Sequence, residues 1–101
     1  MADLHDDVVR AQRAVDGAWA CVEAYRRRVT ERRRRESQPS SDGHPASLRP
    51  WTHREDRAYE RLHARVVTAA SERAAAMRQH GVTSTWESER ELRAAAREPA
   101  A

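Results

Sequence analysis

The sequence of 101 residues contains no lysine, asparagine, isoleucine or phenylalanine, and all 19 of its basic residues are arginine. The missing residues share AT-rich codons, so this composition favours a GC-rich, bacterial genome. Arginine is then the default basic residue of the chain. Its presence at a given position does not by itself indicate a site that needs the bidentate geometry of a guanidinium group.

Cysteine and long apolar runs are also scarce. The single cysteine, Cys21, excludes a disulfide within the chain and is typical of a reducing compartment. No apolar run approaches the roughly 20 residues that a helix needs to cross a bilayer. We therefore expect a cytoplasmic protein without membrane contact. Cys21 lies beside an apolar stripe next to Val22, and we expect it to be a small buried hydrophobic residue rather than a nucleophile.

Large apolar side chains are few, because about half of the apolar positions are alanine. The chain has eight valines, four leucines, three tryptophans and two tyrosines. A length of 101 residues allows one domain, which we expect to span residues 1–101. Its core should be thin and should gain from close helix packing or from a second copy of the chain.

The first third of the chain predicts a long amphipathic helix over residues 3–36. Its apolar residues alternate at spacings of four and three, which is the pattern of a coiled-coil interface. We call these residues the apolar seam: Leu4, Val8, Ala11, Val15, Ala18, Val22, Tyr25 and Val29. Three prolines and one glycine between residues 37 and 50 cannot continue this helix, so a flexible loop is expected over 37–51.

Two further helices follow the loop. Thr52 and Glu55 form a capping-box pattern that predicts a second helix over 52–80, and Gly81 suits the left-handed position after its end. Ser84 and Glu87 form a second capping-box pattern, which predicts a short helix over 84–98. The expected fold is all-α, an antiparallel coiled-coil-like hairpin with a short third helix. In this arrangement we expect Trp86 to cover the thin end of the hairpin.

Arg73 interrupts the apolar face of the second helix. Pairing the two helices so that Val22 faces Val66 brings Arg73 close to the first helix. A buried guanidinium without a partner is too costly to persist. We therefore expect Arg73 to contact Gln12, Asp16 or Glu89.

The strongest charge feature is an arginine cluster near the end of the first helix. Residues 26–35 carry seven arginines and one glutamate, a charge of +6, which leaves −3 for the rest of a chain whose total is +3. The cluster either complements the helix dipole as a solvated helix end or binds the phosphates of a nucleic acid. Its members are Arg26, Arg27, Arg28, Arg32, Arg33, Arg34 and Arg35.

The segment from Trp51 to Leu62, WTHREDRAYERL, resembles the opening of a Myb or SANT repeat, in which the first helix begins with a similar Trp-Thr and acidic pattern. The resemblance covers a dozen residues. It would imply two further short helices, the last of them reading the major groove of DNA. Here the helical pattern continues without a turn to His80, so a capping box beside a tryptophan explains the same residues.

The five histidines show neither the i, i+4 spacing of a helical zinc site nor a suitable spacing from Cys21. They are His5, His44, His53, His63 and His80. No glycine-rich phosphate loop, nucleophile elbow or clustered carboxylate pair is present. We therefore expect no enzyme, with no catalytic residue, cofactor, metal ion or small-molecule substrate.

These observations favour a helical interaction module that binds a protein partner or itself. Tryptophan is enriched at the centres of protein interfaces, so the candidate partner-binding residues are Trp19, Trp51 and Trp86. The alternative is a small DNA-associated accessory protein that contacts phosphates through the arginine cluster.

Overall fold

The computed structural model describes residues 4–37 and 47–99, which form three α-helices and no β-strand. Helix α1 spans Asp6–Glu36, α2 spans His53–Gln79 and α3 spans Trp86–Arg97. The molecule is elongated, with principal extents of 62 × 26 × 23 Å. The all-α fold expected from the sequence, a helical hairpin with a short third helix, is confirmed. No helix in the described ranges is long and apolar enough to cross a membrane.

Helices α1 and α2 pack side by side and antiparallel. Gln12 near the start of α1 contacts Arg73 near the end of α2, whereas Arg32 near the end of α1 contacts Glu55 near the start of α2. Between these contacts the seam residues Val22 and Val29 are fully buried. The spacing of four and three places these valines on one face of α1, and each contributes about 1.5–3 kcal/mol by leaving water.

The two long helices begin at side-chain caps. The side chain of His5 accepts a hydrogen bond from the backbone amide of Asp7, so α1 begins at Asp6. At the start of α2, Thr52 and Glu55 form the predicted reciprocal capping box. Helix α2 then continues unbroken for 27 residues, and this segment therefore contains no three-helix Myb-like repeat.

A tight turn at Gly81 ends α2 and redirects the chain. Gly81 has a φ of 67°, in the left-handed region that favours glycine. The amide of Val82 donates to the carbonyl of Met77 over 2.8 Å, as in a Schellman motif. Val82 also packs against the buried cluster of Val8, Met77 and Leu92. This contact fixes the direction in which the chain leaves α2.

Helix α3 packs beside α1 and runs in the same direction as α1. Its residue Leu92 is fully buried against Val8, while the backbone at its end contacts Arg13, further along α1. Two expectations for α3 are wrong. The capping box is formed by Thr85 with Ser88, not by Ser84 with Glu87, because the hydroxyl of Ser84 donates to Glu89 instead.

The second wrong expectation concerns Trp86. Its side chain does not cover the thin end of the hairpin, since it is 77% exposed at the first position of α3. Leu92 fills that role, because it lies six residues later on the side of α3 that faces α1 and α2.

Candidate interaction site

Helix α3 covers only one end of the hairpin. It has 12 residues, about 18 Å of helix, beside the 31 residues of α1, about 46 Å. Arg13 marks the end of the covered part. Its guanidinium donates hydrogen bonds to the carbonyls of Ala95 and Ala96 in the last turn of α3, over 3.3 and 3.1 Å, and to that of Glu98, the residue after α3, over 2.9 Å. A cation suits this helix end, where the carbonyl groups lack partners in the helix.

Beyond α3, the same side of the hairpin is open. Trp19 follows Gln12 by seven residues and therefore shares its face of α1. The edge of its ring meets His63 on α2, with ring centroids 5.9 Å apart, and 43% of Trp19 stays exposed. Val67, one turn after His63, is 55% exposed. We call the surface formed by Trp19, His63 and Val67 the open groove.

Trp51, another predicted anchor, packs inside the molecule. Its ring lies edge-on to Tyr25 and Tyr59, with centroids 6.2 and 5.6 Å away. Tyr59 in turn stacks on His63 at 6.1 Å. Trp51 is half-buried and joins the residues before α2 to the hairpin. Edge-to-face pairs of this kind stabilise beyond their buried area, so its aromatic contacts already have an internal role.

The arginine cluster divides into two groups. Arg32 contacts Glu55, the side chain of Arg33 donates to the backbone carbonyl of Arg49, and Arg26 lies 3.4 Å from Glu23. Arg28 lies over the ring of Tyr25. The other three members form none of these contacts within the described residues: Arg27, Arg34 and Arg35.

One side of α1 in this region carries a shallow, open depression of about 330 Å³. It lies toward solvent, on the part of α1 that α3 does not reach. Its lining is polar and consists of Glu23, Arg26, Arg27, Thr30, Glu31 and Arg34. Two carboxylates in this lining reduce the positive potential that the arginines would otherwise offer to an anion.

Glu55 is the most buried charged residue of the described ranges, with 2% of its surface exposed. Arg49 binds both of its carboxylate oxygens, at 2.8 and 3.1 Å, and Arg32 donates from α1 over 3.1 Å. The bond from Arg49, followed by that from the amide of Thr52, lowers the pKa of Glu55 to about 2. We call this group the Glu55 clamp. It fastens α1 and the residues before α2 to the start of α2.

Arg73 connects all three helices. Its Nε donates to Gln12 on α1 over 2.6 Å, and its terminal nitrogen pairs with Glu89 on α3. Gln12 also donates to Asp16 over 2.9 Å. The hydrogen bond from Arg73, assisted by Ser84, lowers the pKa of Glu89. The expected contact of Arg73 with Gln12 or Glu89 is thus confirmed, and both are made at once.

Cys21 lies on the exposed side of α1. The expectation of a buried cysteine is wrong, because one residue along a helix turns the side chain by about 100°. Val22 faces α2, so Cys21 faces solvent. The seam residues contain no base that would activate the thiol of Cys21.

The structure also brings together a cluster of three side chains that no motif of the sequence predicts. His5 before α1, Asp7 in its first turn and His80 after α2 bring their ligand atoms within 4.8 Å of one another. The two imidazole rings stack with centroids 3.7 Å apart. No spacing along the sequence signals this cluster, since His5 and His80 meet only when the hairpin forms in its observed register.

Comparison of the chain with protein-family models, with curated proteins and with solved structures gives no match.

Proposed function

We propose that this chain is a non-enzymatic interaction module that binds a helix in the open groove. The observation that carries the proposal is Trp19, an indole 43% exposed between α1 and α2 just beyond the end of α3. Tryptophan is enriched among residues that dominate binding energy. Helix α3 already occupies the covered part of the same side, so a helix is the element that fits there. The scarcity of cysteine supports a cytoplasmic location.

A second copy of the chain is the partner we propose first. The two ends of the molecule differ in charge, with the arginine cluster at one end and Asp6 and Asp7 at the other. An antiparallel second copy would place each basic end beside an acidic end. Such charges select the orientation of a complex, while apolar contacts at Trp19 and Val67 supply most of the affinity.

Sedimentation equilibrium over a range of protein concentrations tests this proposal. Replacing Trp19 by alanine should weaken the dimer at least about tenfold, the loss expected for a residue central to an interface. The matched control is Trp86→Ala, because Trp86 is also an exposed tryptophan but lies outside the groove. Circular dichroism confirms that both variants remain helical.

Two results would contradict the proposal in its stated form. A chain that stays monomeric at high concentration would exclude self-association and leave a different helical protein as partner. A dimer weakened by Trp86→Ala and unaffected by Trp19→Ala would place the interface on α3 instead of in the open groove.

The alternative is binding to nucleic acid. The specific observation that favours it is that three members of the arginine cluster form no salt bridge, side-chain hydrogen bond or cation–π contact in the described part of the chain, namely Arg27, Arg34 and Arg35. Changing these three to alanine should weaken binding to all duplex sequences alike. It should also reduce the slope of log affinity against log salt by about 2–3, as for lost phosphate contacts.

The matched control for this alternative changes Arg65, Arg78 and Arg90, which are exposed and lie outside the cluster. It removes the same charge from other surfaces. Equal losses in the two triple variants would indicate attraction by net charge alone. No binding of the unmodified protein at low salt would exclude the alternative.

A further inference from the structure

We propose that His5, Asp7 and His80 bind a transition-metal ion of the Zn²⁺ class, which would join the start of α1 to the end of α2. Oδ2 of Asp7 lies 3.3 Å from Nε2 of His80 and 3.6 Å from Nδ1 of His5. All three ligand atoms lie within 4.8 Å of one another. The proposal is independent of the open groove and of the arginine cluster.

The two separations from Asp7, to His80 and to His5, are close to those of a tetrahedral ion. Zinc binds imidazole nitrogen and carboxylate oxygen at about 2.0–2.2 Å, so two ligands of a tetrahedral ion lie about 3.4 Å apart. Two imidazoles and one carboxylate favour Zn²⁺, Co²⁺ or Ni²⁺ over Mg²⁺ and Ca²⁺, which prefer oxygen ligands. Water would complete the coordination as the fourth ligand.

One carboxylate oxygen of Asp7 is available to bind a metal ion. Its Oδ1 lies 3.7 Å from the guanidinium of Arg10, on the next turn of α1, whereas Oδ2 faces the two histidines. One carboxylate oxygen is therefore directed at the cluster while the other is near a cation. A neighbouring cation orients a metal-binding carboxylate in the manner of outer-shell partners in known sites.

Binding requires one ring to rotate. The rings of His5 and His80 are nearly parallel, at an angle of 15° and a centroid distance of 3.7 Å. The lone pair of an imidazole lies in the plane of its ring, and one ion cannot lie in two parallel planes. His5 is the ring free to turn, because it precedes α1 and half of its side chain is exposed. Its rotation gives up the hydrogen bond from the amide of Asp7.

Calorimetric titration and thermal unfolding of the untagged protein with ZnCl₂ test the proposal, with MgCl₂ as the comparison. Free Zn²⁺ at about a hundred times its dissociation constant should raise the melting temperature by about 10 °C, whereas Mg²⁺ should not. Co²⁺ provides a second measurement, because a tetrahedral complex absorbs strongly in the visible range. Binding should weaken as the pH falls, since both imidazoles must be unprotonated.

The variants Asp7→Asn and His80→Gln should each lower the affinity for Zn²⁺ at least about tenfold. His53→Gln is the matched control, because His53 is an exposed histidine at the start of α2, remote from the cluster. Should His80→Gln lose its helical circular dichroism, Asp7→Asn alone decides the outcome. Unchanged Zn²⁺ affinity in Asp7→Asn, or no binding by the unmodified protein, would overturn the proposal.

Discussion

The guanidinium of Arg73 on α2 donates a hydrogen bond to the side-chain oxygen of Gln12 on α1, over 2.6 Å, and pairs with Glu89 on α3 at the same time. A charge placed in the apolar face of α2 therefore has partners on both other helices. This arrangement fixes the register of α1 against α2, because a shift by one turn would remove Gln12 from reach. It also holds α3 at its observed position.

Arg73→Leu should lower the free energy of unfolding by about 1–3 kcal/mol, because Gln12 and Glu89 each lose the hydrogen bond from the guanidinium of Arg73. Replacing Gln12, Arg73 and Glu89 together by leucine should restore the stability of the unmodified protein to within about 1 kcal/mol, or exceed it. Urea denaturation followed by circular dichroism measures both effects. A triple variant less stable than Arg73→Leu would show that the network contributes more than an apolar contact of the same size.

Glu55 should control acid stability. Its pKa lies near 2 in the folded state against 4.5 for an ordinary glutamate. The stability that its charge contributes is therefore present above about pH 4.5 and is lost as the pH falls toward 2. Glu55→Gln should lower stability at neutral pH and flatten the curve of stability against pH in that window. Glu60→Gln, an exposed residue of α2, is the control for the change in net charge.

Val22→Asp should unfold the protein. Val22 is fully buried between α1 and α2, and an unpaired carboxylate there should cost about 3–5 kcal/mol, a large part of the total stability of a small domain. Ala20→Asp is the matched control, since Ala20 is exposed two residues earlier on the same helix. Retained helicity and an unchanged melting temperature in Val22→Asp would show that α1 presents a different face to α2.

Cys21 should react in the folded protein. Because its thiol is exposed, a disulfide reagent such as Ellman's reagent should modify one thiol per chain without prior unfolding. Cys21→Ser should change the free energy of unfolding by less than about 0.5 kcal/mol, as for most surface substitutions. Modification that requires denaturant would place Cys21 in an interface between copies of the chain.

The hairpin is well predicted from the sequence because the apolar spacing that indicates each helix is local and repeats along the chain. The spacing of the valines identifies the buried face of α1, and the cost of an unpaired guanidinium predicts the partners of Arg73. Cys21 is exposed although it is next to the seam residue Val22 in sequence, because a step of one residue along a helix leaves the buried face. Ser84 with Glu87 matches the capping-box pattern of the sequence, whereas Thr85 with Ser88 does not, so this pattern does not identify the N-cap of α3.

Contacts between residues that lie outside the periodic apolar faces could not be predicted from the sequence. His5, Asp7 and His80 come together because the start of α1 lies beside the end of α2. No local pattern encodes that distance. The open groove also arises only in the assembled fold, since its position depends on where α3 ends along α1. Trp19 is recognisable in the sequence as a candidate, but its position just beyond Arg13 is a property of the assembled fold.

The turn that leads into α3 requires a backbone conformation at Gly81 that depends on the configuration of the residue placed there. Its φ of 67° is unfavourable for an L-residue and natural for its mirror image. No atom lies within 4 Å of a Cβ built there, so L-alanine would meet torsional strain and no steric clash. A chain made by chemical synthesis with D-alanine at this position should keep the turn and restrict the unfolded state. The D configuration of a single exposed residue would then stabilise the turn that joins α3 to the hairpin.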